Sequence, residues 1–580
     1  MLKLSRFLKP YRLYITFVLS LLFLQSLSEL YLPTLMADIV NLGIVTGDDG
    51  YILRIGGFML LVAAGGTFCS IIASYLSSKT ASGFSQLLRS ALFSHVENFS
   101  LHDFNRFGTS SLITRTTNDI NQLQQVLTMM LRMMISAPLM CIGGIIMAVY
   151  RDAHLSLVLA AVIPILTGAI WVVARKGVPL FKAIQVKLDK LNLVLRESLM
   201  GIRVVRSFNR VEHQKERFSQ ANLELTDTST KVNRVMAALM PIMMLVMNLS
   251  MIAIVWFGGL RIDSGNLQVG DLMAFIQYAM QIMFSLIMLS FMFVMVPRAS
   301  VSAARIQEVL DTLPTITDPS PSIAAQAVST KDNQGILEFQ HVTFAYPGAE
   351  QPVLSDVSFQ AKRGEITAII GGTGSGKTTL LNLIPRFYDV KRGAILIDGV
   401  DVRQTNQIEL RQKIGYVSQK ALLFSGTIAE NIRYGNNEAS DEAIGRAAQT
   451  AQATEFIAGM SDGMNSFIDQ GGANLSGGQK QRLSIARALA RKAEIYLFDD
   501  SFSALDFKTD AQLRAALKSE TADATVLLVA QRVSTVMDAN RIVVLDEGRI
   551  AGIGTHRELM KSCTVYQEIV ASQLSEEEVA

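Results

Sequence analysis

A membrane domain of six long transmembrane α-helices, followed by an α/β domain of the P-loop NTPase class, is the fold this sequence predicts. Three observations predict it. Six apolar stretches long enough to cross a bilayer precede residue 300, short apolar runs alternating with helical patterns begin near residue 336, and a glycine-rich phosphate loop lies between one such run and a helix. With 580 residues, half of them hydrophobic, the chain has material for both a membrane region and a soluble core.

The net charge of +3 is small for this length, and no basic cluster is interleaved with aromatics, so nucleic acid is excluded as a partner. Cys69, Cys141 and Cys563 lie far apart, without the paired spacing of a zinc site or redox motif, and read as reduced. The start, Met1 to Arg12, is basic. No small-residue cleavage site follows the first apolar run, so that run is expected to stay as an anchor.

The apolar stretches fall at residues 13–37, 55–77, 129–149, 155–174, 238–259 and 271–296. A bilayer core takes roughly 20 helical residues, and each stretch suffices. Connections alternate between short (38–54, 150–154, 260–270) and long (78–128, 175–237), the long ones polar and rich in Lys and Arg. Cytoplasmic flanks carry an excess of basic residues, so Lys3, Arg6, Lys9 and Arg12 place the N-terminus inside. Arg175, Lys176, Lys182, Lys187 and Lys190 place the second long connection there too. An even number of spans then returns the chain to the cytosol after Pro297. The expectation is an integral protein of a bacterial cell (inner) membrane with both termini cytoplasmic.

The long connections keep helical apolar spacing, as in Leu191, Leu195, Leu199 and Ile202, and so are expected to be helical hairpins continuing past the membrane. Their turns are expected near Asn105–Leu112 and Val204–Glu212. Glu29 is the sharpest polar residue within a span, because lipid penalises it. A structural contact or an outer, exposed position is its simpler reading, and a cavity-facing role with cationic substrates is the alternative. Arg132, near the inner end of the third span, reads most simply as snorkelling. Methionine is frequent in the spans: Met129, Met130, Met133 and Met134 in the third, Met240, Met243, Met244, Met247 and Met251 in the fifth, and Met273, Met280, Met283, Met288, Met292 and Met295 in the sixth. Each alone is ordinary packing, but together these pliable thioethers suit a cavity that accepts ligands of several shapes.

The membrane domain is assigned to residues 1–300 and a linker to 301–335, with an amphipathic helix through Arg305–Leu310 and a polar run at Thr330–Gln334. The nucleotide-binding domain takes residues 336–580. There, Ile366–Ile370 reads as a buried strand and GGTGSGKT follows it, the full G-x-x-x-x-G-K-[ST] phosphate loop. Gly371, Gly372, Thr373, Gly374, Ser375 and Gly376 let backbone N–H groups wrap phosphates. Lys377 supplies positive charge, Thr378 can hold Mg²⁺, and Thr379 completes the candidate ATP-binding set. A second strand, Ile495–Phe498, ends in Asp499 and Asp500, with Asp499 placed to hold Mg²⁺ through its water shell. Between the two lies LSGGQ, whose Ser476, Gly477, Gly478 and Gln479 open a helix and form an anion site.

In this order the motifs resemble those of the ABC transporter family, over essentially the whole chain. The resemblance implies that Tyr346 of FAYPG stacks on adenine and that Gln419 of YVSQ senses Mg²⁺ and the membrane domain. It implies that Ser503–Asp506 is the D-loop and that ESLMGIRVVRSF (Glu197–Phe208) and the segment Thr114–Asp119 are exporter intracellular loops. Membrane part first on one chain matches exporters. In this family two nucleotide domains sandwich two ATPs, each between the phosphate loop of one and the LSGGQ of the other. With one phosphate loop and no repeat of the six-span unit, the chain is expected to pair with a second half-transporter.

Hydrolysing members have Glu directly after the Mg²⁺ aspartate and His in the switch loop, where this chain has Asp500 and Gln531. Aspartate is one methylene, about 1.5 Å, too short to reach the attacking water. Glutamine offers an amide without the histidine's charge or proton handling. The loop before LSGGQ also departs from the exporter pattern, reading IDQGGAN at Ile468–Asn474. The expectation is a heterodimeric, multidrug-type exporter of hydrophobic or amphipathic compounds in which this chain's site is impaired and its LSGGQ completes the partner's competent site. A lipid flippase or a slow homodimer is the alternative, and an ATP-gated membrane regulator a more distant one, since no regulatory insertion is present. No Cys/His peptidase domain precedes the first span, which disfavours a peptide exporter.

Overall fold

The computed structural model describes residues 2–319 and 335–573. The polar run Thr330–Gln334 falls outside the described residues. The chain divides into two compact units, residues 1–97 with 109–312, and residues 98–108 with 313–580.

The first unit is helical. Its helices are α1 (Arg12–Asp38), α2 (Asp49–Glu97), α4 (Thr109–Thr114), α5 (Ile120–Arg151), α6 (Ser156–Met200), α7 (Ile202–Ser207), α8 (Val211–Asp263) and α9 (Val269–Asp311), while α3 (Leu101–Phe107) belongs to the second unit. Six stretches among the described residues are long and apolar enough to cross a membrane. α2, at 49 residues, and α8, at 53, would span roughly 73 and 80 Å, more than twice the thickness of a ~30 Å hydrocarbon core. The long connections are therefore helical. The breaks at Gly108 and Phe208–Arg210 fall within the expected turns, and each connection has one further break before it, at Asn98–Ser100 and at Gly201, which sets off α3 and α7. Ser100 explains the first, because its hydroxyl caps α3 by accepting from the Asp103 N–H.

The sixth span and the amphipathic segment are one helix, α9, which passes through Pro297 to Asp311 without a separate linker helix. α5 packs along α9, α1 along α2 and α6 along α8. Ion pairs fasten the ends of the short connections, Arg151 to Asp271 at 2.7 Å and Arg261 to Asp152 at 2.6 Å.

Among its described residues the second unit contains twelve strands: β1 (Leu337–Phe344), β2 (Leu354–Ala361), β3 (Ile366–Gly371), β4 (Arg392–Ile397), β5 (Val400–Asp401), β6 (Ile414–Val417), β7 (Gly426–Thr427), β8 (Phe467–Ile468), β9 (Ile495–Asp499), β10 (Thr525–Val529), β11 (Arg541–Asp546) and β12 (Arg549–Gly554). An antiparallel sheet has the order β2-β1-β4-β5, and a second sheet the order β12-β11-β3-β10-β9-β6, parallel except at β12. β9 and β10 are buried along their whole length, which is why their sequences, IYLFD and TVLLV, run apolar without alternation. Three helices of this unit bear on the nucleotide motifs: α10 (Lys377–Leu383), α11 (Gly477–Ala490) and α12 (Thr564–Ala571).

Residues 98–108 are held in this unit by a carboxylate. Asp103 is buried and accepts from the backbone and hydroxyl of Ser100, and from Thr315 N at 2.9 Å and Thr315 Oγ1 at 2.6 Å. Burial works to raise its pKa, but these hydrogen bonds together hold it below the usual carboxylate range.

Candidate functional site

β3, β10, β9 and β6 are consecutive in the parallel sheet, with Val529 in register with both Ile369 and Asp499, so the segments leaving their carboxyl ends are gathered at one edge. The phosphate loop leaves β3, Gln531 lies just past β10, Asp500 just past β9 and Gln419 just past β6.

The loop needs its glycines. A Cβ on Gly371 would lie 2.1 Å from the Leu545 carbonyl oxygen, and Gly376 has a φ of +96°. Lys377 opens α10 and folds back, donating to the carbonyls of Gly371 (2.8 Å) and Gly372 (2.7 Å) and reaching Ser375 Oγ at 3.4 Å. Burial lowers its pKa, against the opposing charges of Asp500 and Asp499. A buried ammonium bonded to neutral oxygens alone is a site short of an anion, which fits a nucleotide phosphate. Thr378 Oγ1 donates to Asp499 Oδ1 at 3.0 Å. This pair of hard oxygen donors fits Mg²⁺, which when bound neutralises charge on the β and γ phosphates.

Tyr346 stands at the rim of the same loop, its hydroxyl 2.9 Å from Thr379 Oγ1 and its ring edge-on to Phe344 and Tyr388. Ser476 caps α11 in a reciprocal box: its hydroxyl accepts from Gln479 N at 3.3 Å, and Gln479 Oε1 accepts from Ser476 N at 2.9 Å. Among the described residues, Ser476–Gln479 make no hydrogen bond to the phosphate loop. The chain thus brings together the phosphate loop, Asp499, Asp500, Gln419 and Gln531, and leaves the LSGGQ turn out of that set.

Asp500 is the centre of the remaining geometry. One oxygen, Oδ2, accepts from Gln531 Nε2 at 2.8 Å and from Gln419 Nε2 at 3.3 Å. Its backbone has a φ of 47°, in the left-handed region that aspartate tolerates better than most side chains. Burial raises its carboxyl pKa, against the hydrogen bonds from Gln419 and Ser503 and the charges of Lys377 and Arg532.

Residues 15–315 match the family described as ABC transporter transmembrane region, and residues 354–503 the family described as ABC transporter. The chain belongs to the ABC transporter family. Similar proteins include an uncharacterized ABC transporter ATP-binding protein of Mycobacterium tuberculosis, 42% identical over 98% of this chain and 97% of that one. Another is an ATP-dependent lipid A-core flippase of Syntrophus aciditrophicus, 32% identical over 88% of this chain and 83% of that one. In structure, the chain resembles a bacterial Atm1-family ABC exporter with ATP bound, with a TM-score of 0.81, 25% identity, and coverage of 97% of this chain and 99% of the other. This ABC protein is an integral membrane exporter that uses ATP with Mg²⁺.

Within the membrane unit of this ABC exporter, α1, α2, α5 and α9 line an open cavity of about 990 Å³. Glu29 and Arg132 both line it, together with Met129, Met133, Met280 and Met288. The Glu29 carboxylate accepts from Gln25 Nε2 at 2.8 Å, and its backbone carbonyl from Gln281 Nε2 at 3.2 Å. Arg132 is exposed on α5 and lines this cavity beside Met129 and Met133.

Two contacts had no motif to announce them. Ser503 Oγ donates to the Asp500 carbonyl oxygen at 2.9 Å. Gln573, beyond the end of α12, donates to Gln531 O at 2.8 Å and accepts from Val533 N at 2.8 Å, clasping the switch-loop backbone. Gln573→Ala removes one acceptor worth about 1 kcal/mol, so amide exchange at Val533 is expected to quicken about fivefold in hydrogen–deuterium exchange, with exchange in β9 unchanged.

Burial is the main cause that raises the Asp499 pKa, with the Asp500 charge adding to it, while the Thr378 hydrogen bond and Lys377 lower it. The folded chain then holds this proton more tightly than the unfolded chain does. Without nucleotide, the stability so gained is present at low pH and is lost as pH rises through the raised value. Asp499→Asn is expected to remove that pH dependence and raise the neutral-pH melting midpoint, by roughly 2–4 °C for each ~1 kcal/mol relieved. It is also expected to weaken Mg²⁺-dependent ATP binding, and calorimetry with and without Mg²⁺ measures both effects.

Proposed function

We infer that the chain is one subunit of a heterodimeric ATP-driven exporter of hydrophobic or amphipathic compounds, with its own Walker site impaired and its LSGGQ completing the competent site of a different partner. The observation that carries this reading is the clasped Asp500: its Oδ2 is engaged by Gln531 and Gln419, and no His or Glu stands at positions 531 and 500. A base whose oxygen is already accepting two amides, on a side chain one methylene short, is poorly placed to activate water. Ser476–Gln479, by contrast, keeps a complete helix-capping turn for the partner's nucleotide.

In this reading Tyr346, Gly371–Thr379, Asp499 and Gln419 hold ATP and Mg²⁺ at the impaired site, where nucleotide is bound tightly and hydrolysed slowly. ATP binding closes the paired nucleotide domains and turns the spans from inward- to outward-facing, and hydrolysis at the other site resets them. The basic N-terminus and second long connection support cytoplasmic termini in a bacterial inner membrane. Domain roles follow the same proposal: residues 1–300 form the pathway and 336–580 the ATPase. A lipid substrate is the second reading, favoured by the identity shared with lipid A-core flippases.

The experiment is to purify the chain alone and together with the product of a neighbouring transporter gene, and to measure ATPase activity. Little activity alone and robust activity for the pair is expected. Robust hydrolysis by this chain alone would overturn the heterodimer.

A further inference from the structure

The membrane cavity holds one acid and one guanidinium, and the packing of the helices fixes how far apart they lie. A Cβ on Gly143 of α5 would meet Leu30 Cδ1 of α1 at 2.3 Å, so Glu29 stands near the level of Gly143. Arg132 is 11 residues earlier on α5, from position 132 to 143, or about 16 Å along the helix. The two charges are therefore at opposite ends of the cavity and do not pair.

Their surroundings differ. The Glu29 carboxylate accepts from the Gln25 amide, while Gln281 reaches only the Glu29 backbone carbonyl. The Arg132 side chain makes no hydrogen bond or ion pair among the described residues, and its near neighbours on the lining are Met129, Met133, Thr128 and Ser136. A guanidinium cannot shed its charge, and one kept within a membrane span is costly unless it faces a polar partner. Thioethers beside it offer polarisable contact to an alkyl chain and no countercharge.

We propose that this cavity takes an amphiphile whose anionic headgroup, carboxylate or phosphate, is held by Arg132, with its apolar tail on the methionine-lined wall. This rests on the reading of the chain as an exporter of amphipathic compounds, and reverses the cationic preference that Glu29 alone would suggest.

The test uses the full chain in dodecyl maltoside with three radiolabelled probes of equal tail length: dodecyl phosphate, dodecyltrimethylammonium and dodecanol. Dodecyl phosphate is expected to bind at least ~10-fold more tightly than the cation. Arg132→Gln is expected to erase that difference and Arg132→Lys to keep most of it. Arg132→Met is the alternative charge deletion should the glutamine variant not fold. Tighter binding of the cation, lost in Glu29→Gln, would overturn the proposal, as would a preference unmoved by loss of Arg132. A preference that vanishes once the second chain is present would assign Arg132 to an ion pair between subunits and also overturn it. Equal binding of all three probes defeats only the charge assignment, whereas failure of all three to bind defeats the amphiphile reading beneath it.

Discussion

Ser476→Arg is expected to abolish ATP hydrolysis and transport by the assembled pair, while Asp500→Asn changes both by less than about twofold. In the proposed pair the Ser476 hydroxyl and the first N–H groups of α11 face the partner's nucleotide, and Gln479 folds back to complete the cap. A long cation there fills the space that phosphate oxygens need and deletes the cap, which by itself costs about 1 kcal/mol. In the proposed pair Asp500 belongs to the other composite site, and its Oδ2 already accepts from Gln531 and Gln419. Vesicle transport and steady-state ATPase, measured on the same preparations, decide the matter. Equal loss from both substitutions would mean that the two sites have been assigned the wrong way round.

The second large effect runs in the opposite direction. Asp500→Glu together with Gln531→His is expected to restore hydrolysis at this chain's own site, and most visibly when Ser476→Arg has silenced the other. Displacement of a catalytic group by 1 Å can cost on the order of 10²-fold, and the added methylene recovers about 1.5 Å of reach. Histidine at 531 removes the amide that holds Asp500 Oδ2 at 2.8 Å and supplies a ring able to carry charge toward the γ-phosphate. A gain on the order of 10²-fold over the Ser476→Arg background is expected for the pair of changes, and less for either alone, because they share one hydrogen bond. No gain would count against the proposal that positions 500 and 531 impair this site.

Much of the fold and the nucleotide site was legible in the sequence because the decisive signals are local. Six apolar runs, GGTGSGKT, LSGGQ and the acid-ended strand each carry their own physical reason, and the alternation of strands and helices predicts a parallel sheet that gathers their ends. The contacts that escaped are tertiary. Nothing near Gln573 marks it as a partner of the switch loop, because the pairing depends on where α12 ends in space. That Arg132 lines a cavity with Glu29 shows only once α1, α2 and α9 are placed beside α5. Asp103 is intermediate: Ser-x-x-Asp announces a cap, but not that Thr315 donates to the same carboxylate.

The Asp103 carboxylate bears on how the protein is made. Residues 98–108 emerge from the ribosome long before residue 313, yet they belong to the same compact unit. The second unit is thus discontinuous in the order of synthesis: its early segment, with Ser100 already donating to Asp103, precedes four further spans, and the Thr315 donors follow them. The contact between Asp103 and Thr315 can therefore close only after the last span has been made.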